Sequence, residues 1–379
     1  MLSKKQILLL SLGTSLTFWD IFNVPYIENY ASSQIGEVSA TLILSSEMIG
    51  YFLGGMVNGY MASKLGRKFG LMSSMLLISL GSLVGLLSFN LFSLLVAELL
   101  IGLGIEGEVA VVPSYVSEMS DPKIRGRNVG ITTLSGFLMT LVVTPVAVIL
   151  GQGYWRLLFV PSLILALIAL FFRVKLPESV LWEKKSKEEL KWDKDILVFT
   201  LIWFASYFTG YALFSTPVFS LISQHGYDPS SLYFSYILYG DPLGVVIASI
   251  INDHFQRKYT SSLSNLVSAV LMVIWPFSGP LFLPIGFIIM FFQGFKFPVM
   301  YAYTAENFGT KVRTLGYGIA DGIGHLGGAV GPIVYVVLQG HLGLSFSTGV
   351  VGVAALISAT LLMVFGHTTN KVPLEELKG

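Results

Sequence analysis

Acidic side chains lie inside stretches of the sequence that are otherwise apolar. The segment AELLIGLGIEGEVAVVPSYVSEM, residues 97–119, contains Glu98, Glu106 and Glu108. A carboxylate at the centre of a bilayer costs at least about 2.5–3.5 kcal/mol on insertion scales. Ionisable residues at this depth normally face a protein interior or a water-filled cavity, where they carry protons or bind solutes. Three acids in the apolar part of this segment, which has a fourth, Glu118, near its end, therefore indicate a function inside the membrane.

The composition and the apolar runs predict a multi-pass membrane protein. The 379 residues are 54% hydrophobic and only 12% charged, whereas an average soluble domain has about 25% charged residues. A helix needs about 20 apolar residues to cross a bilayer. The sequence has twelve such runs, at 6–29, 39–61, 70–89, 92–116, 129–150, 154–172, 195–222, 231–252, 261–278, 281–304, 315–338 and 343–366.

The basic residues predict the orientation of these spans. All of the 23 lysines and arginines except Arg156 and Lys296 fall on one side of the membrane if the spans alternate in direction. Because Lys and Arg of short loops remain in the cytoplasm, we expect both termini to be cytoplasmic and the protein to lie in the plasma membrane. The net charge of +1 gives no indication of a nucleic-acid partner. The absence of cysteine excludes disulfides, thiolate metal sites and cysteine nucleophiles.

The chain consists of two similar halves. EMSDPKIRGRNVGI at 118–131 aligns without gaps on ENFGTKVRTLGYGI at 306–319. Parallel repeats of six spans are typical of one large transporter architecture. We predict a six-helix bundle over 1–173 (the N-half), a cytoplasmic linker over 174–194, and a second bundle with a short cytoplasmic tail over 195–379 (the C-half).

Several motifs resemble those of the major facilitator superfamily. GYMASKLGRK at 59–68 is similar to the family signature between spans two and three, with Ser63 at its acidic position, and Asp253 restores the acid in the second half. The Leu176-Pro177-Glu178-Ser179 sequence resembles the sugar-porter and metabolite:proton symporter branches. The resemblance covers essentially the whole chain. It implies an all-α fold of twelve transmembrane helices in two pseudo-symmetric six-helix bundles.

The branch is less sharply indicated by the motifs. Span four matches the glycines and Glu108 of the metabolite-symporter pattern, but Glu98 replaces the arginine of that pattern. Span seven lacks the paired glutamines expected of a sugar porter. This absence argues against a close relative of the hexose transporters.

The resemblance implies which spans surround the solute. In this family spans 1, 4, 7 and 10 surround a central cavity, spans 2, 5, 8 and 11 form the interface between the halves, and the other four face lipid. The ionisable residues deep in the predicted spans avoid the lipid-facing set. They are Asp20, Glu47, Glu98, Glu106, Glu108, Asp241, Lys296 and Asp321.

Asp20, Glu98 and Glu108 are the candidate proton carriers. The resemblance places Asp20 at the acidic position of the first span, and desolvation in a poorly hydrated cavity favours a neutral, proton-bearing carboxyl group. A hydrogen-bonded structural role is the alternative. At about 100° per residue, side chains two positions apart point about 160° from each other. We therefore expect Glu108 or Glu98 to face the cavity, while Glu106 contacts a neighbouring helix or simply packs as a protonated residue.

Polar and aromatic residues of the central spans are candidates for solute contacts. They are Asn23, Trp203, Tyr207, Tyr211, Gln293 and Lys296. The aromatic series of span seven can stack on a ring or a polyol, or serve only in helix packing. Lys296 can contact an anionic solute, or it can neutralise Asp321 or Glu108, because an unpaired buried charge is unfavourable.

A further set of polar residues is expected at the interface between the halves. It consists of Glu47, Glu106, Asp241, Asp321 and His325. Asp321 and His325 are spaced i, i+4 and share a helix face. A side-chain hydrogen bond and a proton relay are both compatible with this spacing.

Charged residues at the predicted cytoplasmic ends of the helices are candidates for a latch between the halves. They are Arg67, Glu118, Arg125, Glu178, Asp253, Arg257, Glu306 and Arg313. In the resembling families such clusters close the inner side and break when the site turns inward. Exposed ion pairs contribute only about 0–1 kcal/mol each, which suits a latch that must open. Ser63 in place of an acid predicts that the first-half latch is weaker than the second.

The sequence predicts a secondary active transporter that works by alternating access, with proton symport as the preferred mode. The expected partners are protons, the bilayer and a small polar metabolite, either an organic acid or a sugar. A transporter of organic cations or drugs is the alternative, because the buried acids outnumber the single buried lysine. A facilitative uniporter and a channel are further alternatives. No motif of a membrane enzyme is present, so we expect no catalytic residues, cofactor or metal. We also expect the protein to be a monomer.

Overall fold

The computed structural model describes residues 2–35, 37–184, 194–214, 216–227 and 232–377. Within these ranges the regular structure is helical, without a strand. Nine of the described helices are long and apolar enough to cross a membrane. Residues 185–193 of the predicted linker lie outside the described residues.

The N-half contains seven helices that account for predicted spans one to six. They are α1 (Lys4–Ile35), α2 (Glu37–Lys64), α3 (Arg67–Leu86), α4 (Leu91–Glu118), α5 (Arg125–Phe137), α6 (Thr140–Leu150) and α7 (Phe159–Arg173). Together α5 and α6 form the fifth span, with an interruption where the Thr140 hydroxyl donates to the Phe137 carbonyl. Such side-chain bonds compete with the helical hydrogen bonds of the backbone. A short helix, α8 (Val180–Lys184), begins the linker.

The C-half contains the remaining helices. They are α9 (Lys194–Ala212), α10 (Thr216–Gln224), α11 (Leu232–Leu238), α12 (Gly240–Ile251), α13 (Arg257–Ile274), α14 (Phe282–Glu306), α15 (Arg313–Leu342), α16 (Leu344–Phe365) and α17 (Leu374–Leu377). Helices α9 and α10 form predicted span seven, and α11 and α12 form span eight. The predicted all-α fold is confirmed. The observed helices differ from the predicted spans in where they end and in where they are interrupted.

Glycines allow the helices around the centre to approach with their backbones in contact. A β-carbon on Gly327 of α15 would collide with the backbone of Phe204 on α9. Between the halves, a β-carbon on Gly55 of α2 would collide with the backbone of Gly318 on α15, and the reverse also holds. Small residues permit such close packing in membranes. The glycines thus bring α9 and α2 against α15, which carries Asp321 and His325.

The ionisable residues predicted to lie deep in the spans are all inside the protein. Each of the eight is between 0% and 2% exposed. The surfaces of α3 and α13, which correspond to predicted lipid-facing spans, instead expose apolar side chains such as Leu76, Leu80, Leu263 and Val270. Because lipid cannot hydrate a carboxylate, this separation of charged and apolar faces is required in a membrane.

Candidate transport site

Three carboxyl groups cluster in the N-half. Asp20 of α1 accepts a hydrogen bond from the Ser162 hydroxyl of α7, and its Oδ2 atom has no hydrogen-bond partner among the described residues. Asp20 interacts electrostatically with Glu47 of α2 and with Glu98 of α4. Both Glu98 oxygens also lack a partner within the described part of the chain. These three acids therefore form one buried group, here called the N-half acid cluster.

The position of Glu47 differs from the sequence prediction. It was expected at the interface between the halves, but its charge acts on Asp20 and Glu98 of its own half. Its Oε1 accepts a hydrogen bond of 2.7 Å from the Tyr51 hydroxyl, and the Tyr51 ring lies 4.7 Å from the His325 ring of the C-half. Glu47 thus joins the acid cluster, and it also faces the other half through Tyr51 and through its electrostatic interaction with Tyr211 of α9. The sequence feature that could have indicated this grouping is Glu98, an acid at the position where the metabolite-symporter pattern has an arginine.

Glu108 forms a buried ion pair that the sequence analysis did not predict. Both terminal nitrogens of Arg173 donate to the Glu108 carboxylate, one of them at 2.6 Å, and both side chains are about 1% exposed. Arg173 is the last residue of α7, and its side chain returns to Glu108 of α4. Lys296 is therefore not the single buried base of the spans. Because Arg173 occupies both carboxylate oxygens of Glu108, we assign Glu108 to this ion pair and not to the proton carriers.

Lys296 contacts polar groups and has no carboxylate within ion-pair distance among the described residues. Its Nζ donates to Gln293 Oε1 at 2.5 Å and to the Ser206 carbonyl at 3.3 Å. The predicted neutralisation of Asp321 or Glu108 is wrong, because Glu108 is occupied by Arg173 and Asp321 bonds elsewhere. Asp241 of α12 is the carboxyl group whose charge acts on Lys296. Asp241 therefore lies close to Lys296 within the C-half.

Donor groups around Lys296 are left without acceptors. Gln293 Nε2 has no partner in the described structure, and the Nζ contacts of Lys296 use two of its three N–H bonds. Gly210 of α9 faces this pair and leaves space beside it, since a β-carbon there would lie 3.4 Å from Gln293 Oε1 and 3.7 Å from Lys296 Nζ. The position is therefore suited to receive an acceptor-rich group.

The aromatic residues of α9 form a continuous stack. The Trp203 and Tyr207 rings are 4.9 Å apart, and Tyr207 stacks on His325 at 4.0 Å. Tyr211 approaches the His325 ring edge-on at 5.9 Å. Trp203 and Tyr207 are 0% and 2% exposed, so in this arrangement they pack against neighbours and leave no ring face free.

Glu106 of α4 lies against the other half. His325 Nδ1 is 3.4 Å from Glu106 Oε2 and 3.6 Å from Asp321 Oδ2. The Tyr207 hydroxyl donates to Asp321 Oδ1 at 2.9 Å. Glu106, Asp321 and His325 thus form a second acid group, here called the interface triad, which joins α4 to α15.

A small cavity lies beside Glu108 near the centre of the molecule. It has a volume of about 20 Å³, lies between the halves and is lined by Thr14, Thr17, Glu108, Thr133 and Tyr301 among others. That volume holds about one water molecule. Asn23 lies outside this cavity, beside Asp20, and its amide nitrogen is 3.4 Å from the Leu158 carbonyl. A cavity of this volume is too small for a metabolite.

Ion pairs join the two halves at one end of the bundle, here called the charged end, which the sequence predicts to be cytoplasmic. Glu118 of α4 accepts from Arg67 Nη2 at 2.7 Å and from Arg313 Nη1 of the C-half at 2.5 Å. Ser179 also donates to Glu118, at 2.5 Å. Arg67 in turn donates to the Thr310 carbonyl of the C-half. One carboxylate therefore holds arginines of both halves.

A second group repeats this arrangement with the halves exchanged. Glu306 of α14 accepts from Arg125 of the N-half at 2.6 Å and lies 3.3 Å from Arg257 Nη1. Arg257 also pairs with Asp253 at 2.9 Å. The side chains of Arg67, Glu118, Arg125, Glu306, Arg257 and Arg313 are 0–1% exposed. The expectation of weak, exposed pairs was therefore wrong, because the closed halves exclude solvent from these charges.

The loop acids bind backbone groups across the charged end. Asp253 accepts from the Gly126 and Arg127 amides at 2.9 and 2.7 Å, at the start of α5. At the equivalent place of the other half, Ser63 accepts from the Leu315 amide at 3.2 Å. A carboxylate at a helix N-terminus is more stabilising than a hydroxyl because it also meets the helix dipole. This difference agrees with a weaker contact at Ser63.

Glu178 does not pair with an arginine side chain in the described structure. Its carboxylate accepts from the backbone amides of Arg67 and Lys68 at 2.9 and 3.1 Å. These amides belong to the first turn of α3, which has no other side-chain cap. Glu178 therefore caps α3, and the prediction that it is part of the inter-half latch is wrong.

Comparisons with known proteins agree with this architecture. Residues 11–197 match the family model described as "Sugar (and other) transporter", and residues 240–378 match that of the Major Facilitator Superfamily. The putative metabolite transport protein YyaJ of Bacillus subtilis is 25% identical, with 93% of this chain and 90% of that protein covered. The putative niacin/nicotinamide transporter NiaP of the same organism is 25% identical, with 87% of each chain covered.

A solved structure has the same fold. The proton:xylose symporter XylE superposes with a TM-score of 0.85 at 18% sequence identity, with 98% of this chain and 97% of that chain covered. The two family models together span both halves. The chain belongs to the Major Facilitator Superfamily of transporters, in its sugar-porter-like and metabolite-transporter part.

Proposed function

We propose that this transporter carries a small organic acid together with protons by alternating access, as a monomer in the plasma membrane. The charged end faces the cytoplasm and is closed in the present arrangement. The observation that carries the solute class is the donor-rich position on α14. Gln293 Nε2 and one N–H of Lys296 have no acceptor in the described structure, although both side chains are at most 3% exposed. Buried donors require acceptors, and a carboxylate supplies two acceptor oxygens.

Aromatic side chains next to Lys296 support a solute with a ring. The Phe297 ring centre is 5.3 Å from Lys296 Nζ. It is also 6.2 Å from the ring centre of Tyr207 and 5.7 Å from that of Tyr301. When the halves separate, these rings provide stacking surfaces beside the donors. The relative named as a niacin/nicotinamide transporter is consistent with a ring-bearing solute.

The proposed proton carrier is Asp20, with Glu98 beside it. The N-half acid cluster contains three carboxyl groups, and no lysine or arginine forms an ion pair with any of them in the described part of the chain. Uncompensated buried carboxylates are strongly unfavourable, so the cluster must bind protons when it is closed from water. Opening to either side hydrates Asp20 and allows proton exchange with that side. This coupling distinguishes the proposal from a uniporter.

A transporter of organic cations is the second candidate. It is favoured by the same acid cluster, because a solute amine can neutralise the carboxylates in place of protons. Uptake into proteoliposomes at a fixed pH gradient, with panels of carboxylates, sugars and amines, separates the two. We expect accumulation of carboxylates only. Accumulation restricted to amines or to sugars would overturn the proposed solute class.

Replacement of Lys296 tests the solute contact directly. We expect Lys296→Met to weaken carboxylate binding by about 10- to 100-fold, since a hydrogen bond to a charged group contributes about 1.5–3 kcal/mol. Binding is measured as a ligand-dependent thermal shift of the purified protein. Lys123→Met, at an exposed loop lysine, is the matched control and should bind like the parent. A folded Lys296→Met variant with parental affinity would remove Lys296 from the site.

A further inference from the structure

The interface triad has the composition and the spacing of a metal site. One ligand atom each of Glu106, Asp321 and His325 lies within 4.8 Å of the others, and all three residues are buried. The separations from His325 Nδ1 are 3.4 Å to Glu106 Oε2 and 3.6 Å to Asp321 Oδ2. Zinc binds nitrogen and oxygen ligands at about 2.0–2.2 Å, so ligands at the corners of a tetrahedron lie about 3.3–3.6 Å apart. The two separations measured from His325 Nδ1 therefore match those of ligands around such an ion.

Carboxylate oxygens of the triad lack hydrogen-bond donors, and a bound cation would supply them with a partner. Both oxygens of Glu106 and Asp321 Oδ2 accept no hydrogen bond from another donor among the described residues, and the two carboxyl groups lie close enough to interact with each other. Glu106 and Asp321 are each 0% exposed. No lysine or arginine forms an ion pair with either acid in the described structure. Among the described residues the only basic side chain in contact with them is His325, and a histidine can be neutral. Two carboxylates without a compensating base match the charge of a divalent cation.

The surroundings of the triad resemble the outer shell of a metal centre. The Tyr207 hydroxyl donates to Asp321 Oδ1 at 2.9 Å and leaves Oδ2 available. The Tyr207 and Tyr51 rings hold the His325 ring at 4.0 and 4.7 Å. Such outer contacts fix the orientation of ligands and are part of the site. The Asp321 carbonyl, 3.0 Å from His325 Nδ1, provides a further oxygen at the same place.

We propose that Glu106, Asp321 and His325 bind a divalent first-row transition-metal ion, such as Zn²⁺, between α4 and α15. His325 binds through Nδ1 and carries its proton on Nε2. Glu106 comes from the N-half, and the other two ligands come from the C-half. A bound ion therefore ties the two halves together and opposes their separation. This regulatory site is separate from the proposed solute position at Lys296 and the proton carrier Asp20.

Direct measurement of bound metal tests the site. The protein is purified through a tag without histidine, treated with chelator and dialysed against Zn²⁺, and the retained zinc is measured by mass spectrometry. We expect one ion per chain, and an affinity reduced more than about tenfold in Glu106→Gln and in His325→Ala. His341→Ala, which removes an exposed histidine on the same helix, is the control and should bind like the parent. No solute or gradient is needed, so the result is independent of the proposed transport function.

Two further outcomes decide between a metal site and a group that binds only a proton. Tyr207→Phe retains the ring but loses the hydroxyl donor, and we expect it to lower zinc affinity about 10- to 100-fold. Zinc should also slow solute exchange by the parent protein, and Glu106→Gln should relieve that inhibition. Zinc retention by the parent at the level of a folded Glu106→Gln variant would overturn the proposal. So would equal retention by parent, Glu106→Gln and Tyr207→Phe.

Discussion

Replacing Asp20 by asparagine is expected to abolish proton-driven accumulation of the solute and to leave solute exchange largely intact. With one proton per solute, a pH difference of one unit can drive about tenfold accumulation, since one unit corresponds to about 1.4 kcal/mol. Asparagine has nearly the shape of a protonated aspartate and can still accept the Ser162 hydrogen bond. It cannot release a proton, so the variant should equilibrate the solute without concentrating it. Accumulation and counterflow in proteoliposomes measure the two activities separately.

The control for this substitution is Asp121→Asn, which makes the same chemical change in a loop at the charged end. Asp121 contacts the backbone of Lys123 and lies far along the chain from the acid cluster. The Asp121→Asn variant should accumulate solute like the parent. Accumulation by Asp20→Asn equal to that of the parent would exclude Asp20 as the proton carrier. Loss of both accumulation and exchange in a folded variant would show that Asp20 serves solute binding and not coupling.

The second large effect is expected from Glu118→Gln at the charged end. The Glu118 carboxylate neutralises Arg67 and Arg313, and all three side chains are at most 1% exposed. Removing one partner of a buried ion pair costs about 3–5 kcal/mol. This cost applies to the closed arrangement, whereas in an arrangement open at the charged end water can hydrate the arginines. We therefore expect the variant to open at this end far more often than the parent.

Cysteine labelling measures this opening against a clean background, because the chain contains no cysteine. Thr133 lines the small central cavity and is 2% exposed, so Thr133→Cys reports access to the centre. With a membrane-impermeant maleimide applied to the charged end, Glu118→Gln should raise the labelling rate at least about tenfold, since 1.4 kcal/mol is a factor of ten. Glu183→Gln, at an exposed residue of α8, is the control. Unchanged labelling in folded Glu118→Gln would show that Glu118 does not hold this end closed.

The fold was accessible from the sequence because its main constraints are local or repetitive. Length and hydropathy define the spans, and the alignment of 118–131 on 306–319 defines the two halves. Burial of all eight deep ionisable residues also follows from the lipid environment. The breaks within spans five and seven could not be predicted in this way, because apolar composition continues through them.

The partners of the charged residues were less accessible, because they depend on side chains that return from distant helices. Arg173 follows directly on an apolar run and looks like a loop residue, but its guanidinium reaches Glu108, 65 positions earlier. Glu178 lies in a family motif at the start of a charge-rich linker, yet it caps the first turn of α3. Glu47 belongs with Asp20 and Glu98 only because α1, α2 and α4 meet there. Helix periodicity gives the direction of a side chain but not the identity of what it meets.

Proton movement with the solute is the most direct test of the central claim, that carboxyl groups buried between two alternating bundles couple protons to a solute. Parent protein is reconstituted in liposomes with a pH-sensitive dye inside and with the membrane potential clamped at zero, and a carboxylate solute is added outside. We predict that the lumen acidifies as the solute enters and that Asp20→Asn takes up solute without acidification. Solute entry through the parent protein at constant internal pH would contradict the account.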